Sequence, residues 1–287
     1  MPSAKSLYTV AKKEFTDHIR NRWILILIII FIALTLIASF LAGQQSSSDK
    51  AFGGVEATVV TLLSIAGILI PLIAIMLGFA TIAGEAESGA LALTLSYPIR
   101  RSEVLLGKFL GLGSILAFTA GVGFGLGGLI IVLTSGTEQL LGYLAFIGLT
   151  ILFGLMYLSP IICLSALFKR RVTAIGGGIF FFLWSPIYGM ITLGIFLATS
   201  NLSTTQIFTK MQAGTLTYPA WMWWSISISP SDLYETTVMK AFNVSQAFGY
   251  SVPLPDFLSA GLLLFFMILW ITIPLILAYL FFRRRDI

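Results

Sequence analysis

The chain has 287 residues, of which 57% are hydrophobic and only 10% are charged, and its formal net charge is +5. Soluble domains carry roughly 25% charged residues, so this composition excludes an ordinary soluble protein and indicates an integral membrane protein. The single cysteine, Cys163, excludes an internal disulfide and a multi-cysteine metal site. The basic residues stand at the ends of apolar runs, where they act as topology signals, so the net charge does not indicate nucleic-acid binding.

The N-terminal segment, residues 3–22, has the pattern of an amphipathic helix. Leu7, Ala11, Phe15 and Ile19 recur at helical spacing on one face, and basic side chains occupy much of the rest. Such a helix lies in the membrane interface with its basic side toward anionic lipid headgroups. The alternative is a basic flank that only fixes the orientation of the first span.

Six charge-free apolar runs follow, and each is long enough to cross a bilayer, which takes about 20 residues. They cover residues 23–42, 58–83, 109–134, 140–168, 172–199 and 257–282. Of the 17 lysines and arginines, all but Lys50, Lys210 and Lys240 fall on the side that holds both termini. The six runs predict an all-α protein with six transmembrane helices in one domain over residues 1–287. The asymmetry of lysine and arginine places this domain in the cytoplasmic membrane with both termini in the cytoplasm.

Several kinds of chemistry are missing from the sequence. The predicted spans contain no acid, base or histidine, which argues against a proton-driven pump because such groups mark ion pathways. The sequence has no P-loop, no H-E-x-x-H and no G-x-S-x-G motif. We therefore expect no enzymatic activity, no metal and no cofactor in this chain, and any energy source must be a separate protein.

The segment 84–108 is the longest charged stretch between two spans. Residues 85–95 favour a short helix, and Tyr97-Pro98 ends it because the residue before a proline avoids the helical region. Ser102 is the expected N-cap of a second helix that continues into the third span. A helix, a break and a new helix at a membrane surface suit a docking element for another protein.

The segment 200–256 lies on the opposite side of the membrane from the termini. Three tryptophans fall within residues 221–224, as aromatic side chains do at a membrane interface. Ser229-Pro230 predicts the N-cap and first position of a helix that runs to about Phe242. We expect short helices that lie on or dip into the outer leaflet, either capping an exit pathway or holding the last two spans together.

One family matches this layout. Residues 85–91 read Glu-Ala-Glu-Ser-Gly-Ala-Leu, residues 95–103 read Leu-Ser-Tyr-Pro-Ile-Arg-Arg-Ser-Glu, and Gly107-Lys108 follows. With six spans and a long loop before the last, this pattern resembles the permease subunit of type-2 ABC exporters. It is most similar to the branch that includes the permease for maturation of multicopper enzymes such as nitrous oxide reductase, whose outer Asn-Pro-x-Asp-x-Tyr is matched here by residues 229–234, Ser-Pro-Ser-Asp-Leu-Tyr.

The resemblance implies a homodimer of permease subunits with two ATP-binding subunits docked beneath it and lipids around it. ATP and Mg would be bound by the partner ATPase. The segment 84–95 would be the coupling helix, with Glu85 and Glu87 pairing with basic residues of the ATPase and Arg100 and Arg101 contacting lipid headgroups or the ATPase. The residues to which the resemblance assigns coupling are Glu85, Glu87, Ser88, Gly89, Leu91, Leu95, Pro98, Arg100 and Arg101.

Three interpretations of function follow. The first is the permease subunit of an ATP-driven ABC transporter, an exporter by family. The second is an autonomous secondary transporter or channel with no ATPase, which an internal repeat would support. The third is a membrane scaffold or sensor whose 84–108 segment binds a partner that does not hydrolyse ATP.

Overall fold

The structure, a computed structural model, describes residues 4–45, 55–135, 140–200, 203–213, 215–242, 246–247, 250–251 and 254–285. Residue 3 of the predicted N-terminal helix and parts of the predicted 200–256 segment lie outside the described residues. The six long helices are α2 (Arg22–Gln45), α3 (Val55–Gly78), α6 (Arg101–Ser135), α7 (Leu140–Leu167), α8 (Arg171–Thr199) and α12 (Ala260–Arg284). The shorter elements are α1 (Ala4–Ile19), α4 (Ala83–Glu87), α5 (Ala90–Leu95), α9 (Thr204–Gln212), α10 (Ala220–Ser225), α11 (Pro230–Phe242) and the two-residue strands β1 (Gln246–Ala247) and β2 (Tyr250–Ser251).

The prediction of an all-α membrane protein with six spans is confirmed. Six helical segments among the described residues are long and apolar enough to cross a bilayer, with mean hydropathies between 1.8 and 3.0. They pass through the membrane in alternating directions, so α1, α4, α5, the starts of α6 and α8 and the ends of α7 and α12 gather at one end of the bundle. We call this end the basic face, because most of the arginines and lysines lie there.

Helix α7 is the centre of the bundle. It packs against α3, α6, α8, α11 and α12, and its residues 156–163 are all buried. Three aromatic rings join the neighbouring helices: Phe124 meets Phe31 edge-on with ring centroids 5.1 Å apart, and meets Phe146 at 4.9 Å. Each pair places the positive edge of one ring against the negative face of the next, which is the favoured aromatic geometry. The bundle is therefore held by one continuous core.

Helix α8 stands at the edge of this bundle. Its buried positions carry mainly small side chains, since Ala174, Gly178, Ser185 and Thr192 face the neighbouring helices. Most of its bulky side chains point away from the bundle, although Phe196 is buried, and Met190 is 76% exposed. Helix α8 therefore presents an apolar face that no other described helix covers.

Helix α11 lies beside α7 and not on the membrane surface. Its C-terminal Phe242 packs near Gly142 at the start of α7, while Ser231, in its first turn, is 2.9 Å from the hydroxyl of Tyr157. Tyr157 stands ten residues before the end of α7, which is about 15 Å from the basic face at 1.5 Å per residue. The segment before α11 therefore enters the bundle deeply from the opposite face, and α11 returns along α7.

Of the two N-cap predictions, the structure confirms one and contradicts the other. The N-cap prediction at Ser229 is confirmed, since Pro230 begins α11 and the backbone N–H of Asp232 donates to Ser229 Oγ at 3.3 Å. The N-cap prediction at Ser102 is wrong. Helix α6 begins at Arg101, two residues before the start that an N-cap at Ser102 requires, because Glu103 Oε2 accepts from the backbone N–H of Arg100 at 3.2 Å and so caps the first turn in place of a serine.

Candidate functional site

The segment between α3 and α6 folds into two short helices at the basic face. The sequence favours a single helix over residues 85–95, whereas the structure breaks it between α4 and α5. Gly89 has φ of 75°, a left-handed backbone that glycine adopts without steric cost, and it redirects the chain between them. The α4–α5 segment is therefore a bent pair of helical turns.

A serine of α7 fixes where this segment begins. Ser165 Oγ accepts hydrogen bonds from the backbone N–H groups of Ile82 and Ala83, both at 3.0 Å, and donates to the carbonyl of Phe79 at 2.8 Å. These groups lie at the start of α4, where the first backbone N–H groups of a helix have no partner within the helix. One buried hydroxyl thus holds the turn between α3 and α4 against the central helix.

The two faces of α5 differ in exposure. Leu91 is fully buried and Leu95 packs against the core, so these two residues attach the helix to the bundle. Leu93 and Tyr97 point the other way and are 67% and 62% exposed. Large apolar side chains exposed together at the end of a membrane protein, beyond its spans, are typical of a surface that contacts another protein or the membrane.

Glu85 is held inside the chain by a buried ion network. Lys108 Nζ is 2.7 Å from Glu85 Oε1 and 2.7 Å from Glu14 Oε1, and the Lys108 side chain is 2% exposed. These residues come from α4, α6 and α1, which are distant in sequence. A buried charge is stable only when it is paired, so the network joins the three helices at one point.

Two further side chains complete the network. Lys13 Nζ donates to Glu85 Oε1 at 3.3 Å, and His18 Nδ1 lies 3.6 Å from Glu14 Oε2. Burial alone would lower the pKa of Lys13, but the carboxylates of Glu85 and Glu14 outweigh it and raise this pKa above its ordinary value. Lys13 therefore stays charged and adds a second positive group beside the two carboxylates.

Glycines allow α1 to approach α6 closely enough for this pairing. A Cβ atom on Gly107 would lie 2.7 Å from Cβ of Val10, and one on Gly111 would lie 2.6 Å from the carbonyl oxygen of Ala11. Both distances are too short for a real side chain, so only glycine fits. The two residues of the Gly107-Lys108 pair therefore have distinct roles. Gly107 leaves room for α1 to pack closely, and Lys108 forms an ion pair with Glu14 of α1.

Arginines close the helix ends at the same face. One guanidinium nitrogen of Arg101 donates to the carbonyls of Phe282, Arg283 and Arg285 at 2.7 to 3.0 Å. Arg285 donates in turn to carbonyls of α7 and of Lys169. Carbonyls at helix C-termini have no partner within the helix and carry partial negative charge, so cations stabilise them.

The predicted coupling residues therefore separate into two groups. Glu85, Leu91, Leu95 and Arg101 face the chain itself and hold the α4–α5 segment in place. The other five are exposed, and they are Glu87, Ser88, Gly89, Pro98 and Arg100. Glu87 makes only a loose contact, 3.6 Å from Arg171 Nε, which is worth little at a surface.

Sequence reasoning missed several residues of this site. It did not assign Glu14 or Lys13 to the site and did not pair Lys108 with an acid, because Lys13 and Glu85 are 72 positions apart, Lys108 and Glu14 are 94 apart, and no local pattern links them. It also did not count Leu93 and Tyr97 among the coupling residues, since α5 has only six residues and is too short for periodicity to identify its buried face. The sequence features that could have indicated an ion network here were the acidic residues of the segment and the Gly107-Lys108 pair.

A second polar cluster lies between α11 and α7. The Tyr234 ring stacks on Phe153 with centroids 4.2 Å apart, and its hydroxyl is 2.7 Å from Thr150 Oγ1. The same helix carries Asp232 and Glu235, which the sequence places in a loop and the structure places along a membrane-spanning helix. The absence of acids from the predicted spans therefore does not extend to this returning helix.

Comparison with known proteins identifies the family. Residues 8–287 match the ABC-2 family transporter proteins. The chain is 37% identical over 291 residues to the "Probable ABC transporter permease protein NosY" of Pseudomonas aeruginosa, with 98% of this chain and 99% of that protein covered. It is 31% identical over 291 residues to the protein of the same name from Stutzerimonas stutzeri, with 97% and 98% covered. The chain belongs to the ABC-2 transporter family and is an ABC transporter permease subunit.

Family membership decides among the three interpretations. An ABC permease forms the membrane part of a transporter whose ATP-binding partner is a separate subunit. The first interpretation is confirmed at this level, and it replaces the autonomous transporter and the scaffold. The chain is a multi-pass membrane component of a transporter.

Proposed function

We propose that this chain is the permease subunit of an ATP-driven exporter, that it works as a homodimer with two copies of an ATP-binding subunit, and that the α4–α5 segment couples ATP hydrolysis to transport. ATP and Mg bind to the partner subunit. The observation that carries the proposal is the exposed Leu93–Tyr97 surface on a segment that is anchored to the spans by a buried ion network. Export follows the resemblance to type-2 ABC exporters.

The docking surface combines apolar and charged groups. Leu93 and Tyr97 supply exposed apolar area, and the carboxylate of Glu87 and the guanidinium of Arg100 lie nearby on the same segment. An apolar centre with a charged rim is the usual composition of a protein interface. Glu87 then pairs with a basic residue of the ATPase, whereas Glu85 holds the segment from within.

The ion network makes this segment an efficient lever. Lys108 lies near the start of α6, which continues as a membrane span, and Glu14 belongs to α1. Separating Glu85 from Lys108 would break the shortest ion pair between α4 and α6 at a buried site, so the segment, α1 and α6 move together when the ATPase moves. The force applied at Leu93 and Tyr97 thus reaches the third span directly.

The second permease copy packs on α8. This helix carries bulky apolar side chains away from its own bundle, and a Cβ atom added to Gly176, Gly189 or Gly194 would meet nothing within 4 Å. Small residues on an exposed helix face allow close helix approach in a membrane. The transport pathway then runs between the two copies.

The orientation follows from charge. The basic face carries most lysines and arginines, and such residues collect on the cytoplasmic side. The chain therefore lies in the cytoplasmic membrane with both termini and the α4–α5 segment in the cytoplasm, where ATP is available. Helix α1 lies in the membrane interface with its exposed lysines toward the headgroups.

The test is stimulation of the partner ATPase in proteoliposomes. Glu87→Lys places a positive charge where the ATPase offers one, so stimulation is abolished while membrane insertion and thermal stability stay unchanged. Asp256→Lys is the matched control, because Asp256 is an exposed acid on the opposite face, and it keeps full stimulation. Normal stimulation by Glu87→Lys would refute docking at this surface.

A further inference from the structure

A cleft at the basic face adjoins the docking surface and shares Glu87 with it, but Leu93 and Tyr97 do not line it. It has a volume of about 600 Å³ and lies between the α4–α5 segment and the ends of α7 and α12. This volume is within the range of small-molecule sites. Its walls include Ala92, Leu167, Lys169, Phe281, Arg284 and Arg285.

The cleft is positively charged. Lys169, Arg284 and Arg285 contribute three positive charges and Glu87 one negative charge, which leaves a net charge of +2 on its walls. Within the described part of the chain, neither Lys169 nor Arg284 makes an ion pair. Two cations without an acidic partner in the same cleft favour an anionic ligand.

One of the cations is fixed in place. Arg285 donates to the carbonyls of Ser165, Ala166 and Lys169 at 3.2 to 3.3 Å, so its guanidinium cannot swing away from the cleft. Lys169 and Arg284 are exposed and can turn toward a ligand. A rigid guanidinium with two mobile cations beside it matches the several oxygens of a phosphate group.

The apolar walls favour a lipid over a free phosphate. Leu167, which is 47% exposed, and Phe281 belong to the last turns of two membrane helices. An acyl chain can run along these turns while the headgroup occupies the charged part of the cleft. Basic pockets between membrane helices on the cytoplasmic side bind anionic headgroups in this way.

We propose that this cleft binds the phosphate headgroup of an anionic phospholipid. The lipid bridges the α4–α5 segment and the ends of α7 and α12, and so stabilises the lever at the point where it meets the bundle. This inference does not depend on ATPase docking. It adds a lipid requirement to the transporter.

Native mass spectrometry of the purified full-length chain tests the proposal. The probes are phosphatidylglycerol and phosphatidylcholine with identical acyl chains, and inorganic phosphate as a competitor. The wild-type chain retains phosphatidylglycerol in preference to phosphatidylcholine. The double variant Lys169→Gln, Arg284→Gln weakens phosphatidylglycerol binding about thirtyfold. The two lost cations contribute about equally to this change, because each basic residue near an anionic headgroup strengthens binding by a similar factor.

Arg283→Gln is the matched control, because Arg283 is exposed beside Arg284 but does not line the cleft. It keeps wild-type binding, and unchanged melting temperatures show that all three forms are folded. Equal binding by the double variant, equal retention of the two lipids, displacement by inorganic phosphate, or displacement by added ATPase would each overturn the proposal. These binding measurements are made on the permease alone, apart from the competition with ATPase, so they can fail while the coupling test succeeds.

Discussion

Two short helical segments dock on this bundle, one at each face, and different forces hold them. The α4–α5 segment is attached through the buried charges of Glu85, Lys108 and Glu14. Helix α11 is attached through stacked aromatic rings and hydroxyl hydrogen bonds, with Tyr234 at the centre. Both contacts are buried, but only the first is ionic.

The two kinds of attachment suit different roles. A buried ion network is costly to separate but tolerates little change in geometry, so its members move as a unit. Aromatic stacking and neutral hydrogen bonds are weaker individually, and each can be lost at a smaller cost. The ionic attachment suits a lever that transmits force, and the aromatic attachment suits a plug that packs between spans.

The largest expected effect comes from breaking the ionic attachment. Lys108→Met removes the buried cation between Glu14 and Glu85 and leaves them to share the half-exposed Lys13, and we expect a loss of about 3–5 kcal/mol in the free energy of unfolding. Thermal unfolding in mild detergent measures it. Lys12→Met is the control, because Lys12 is exposed on the same α1 helix, and it changes stability by less than about 0.5 kcal/mol.

A compensated variant sharpens this prediction. Lys108→Met together with Glu14→Gln and Glu85→Gln removes the charges from both sides and recovers most of the stability, since a neutral buried cluster has no unpaired charge. If the single variant were as stable as Lys12→Met, Lys108 would not carry the attachment.

A smaller effect is expected at the aromatic attachment. Tyr234→Phe removes the hydroxyl contact with Thr150 but keeps the ring on Phe153, and Thr150 still donates to the carbonyl of Phe146. We expect a loss of about 1 kcal/mol, the net contribution of one hydrogen bond. The same unfolding measurement applies, with Tyr97→Phe as an exposed control that shows no change. A loss as large as that of Lys108→Met would contradict the difference between the two attachments.

The sequence predicted the parts of the fold that depend on local chemistry. Hydropathy located six spans, because each is a long apolar run. The start of α11 was predictable because Ser229 and Pro230 form a local cap. The position of the candidate site was also predictable, since a charged segment between two spans is conspicuous.

The remaining features depend on contacts between distant residues. Lys108 and Glu14 are 94 positions apart, and neither carries a local sign of its partner. The depth of α11 depends on Tyr157 and Thr150 of α7, which read as ordinary members of an apolar span. The resemblance to ABC exporters predicted that Glu85 points outward, toward the ATPase, whereas its nearest cations belong to the same chain.

The proposed coupling depends on contact between the exposed face of α5 and the ATP-binding subunit. A photo-activated cross-linking residue in place of Leu93 tests this contact directly, with the same residue in place of Trp224, which is 49% exposed near the opposite face, as the comparison. We predict a cross-link from position 93 to a P-loop ATPase and none from position 224. Absence of the ATPase from the position 93 product, or equal capture from both positions, would contradict docking at this face.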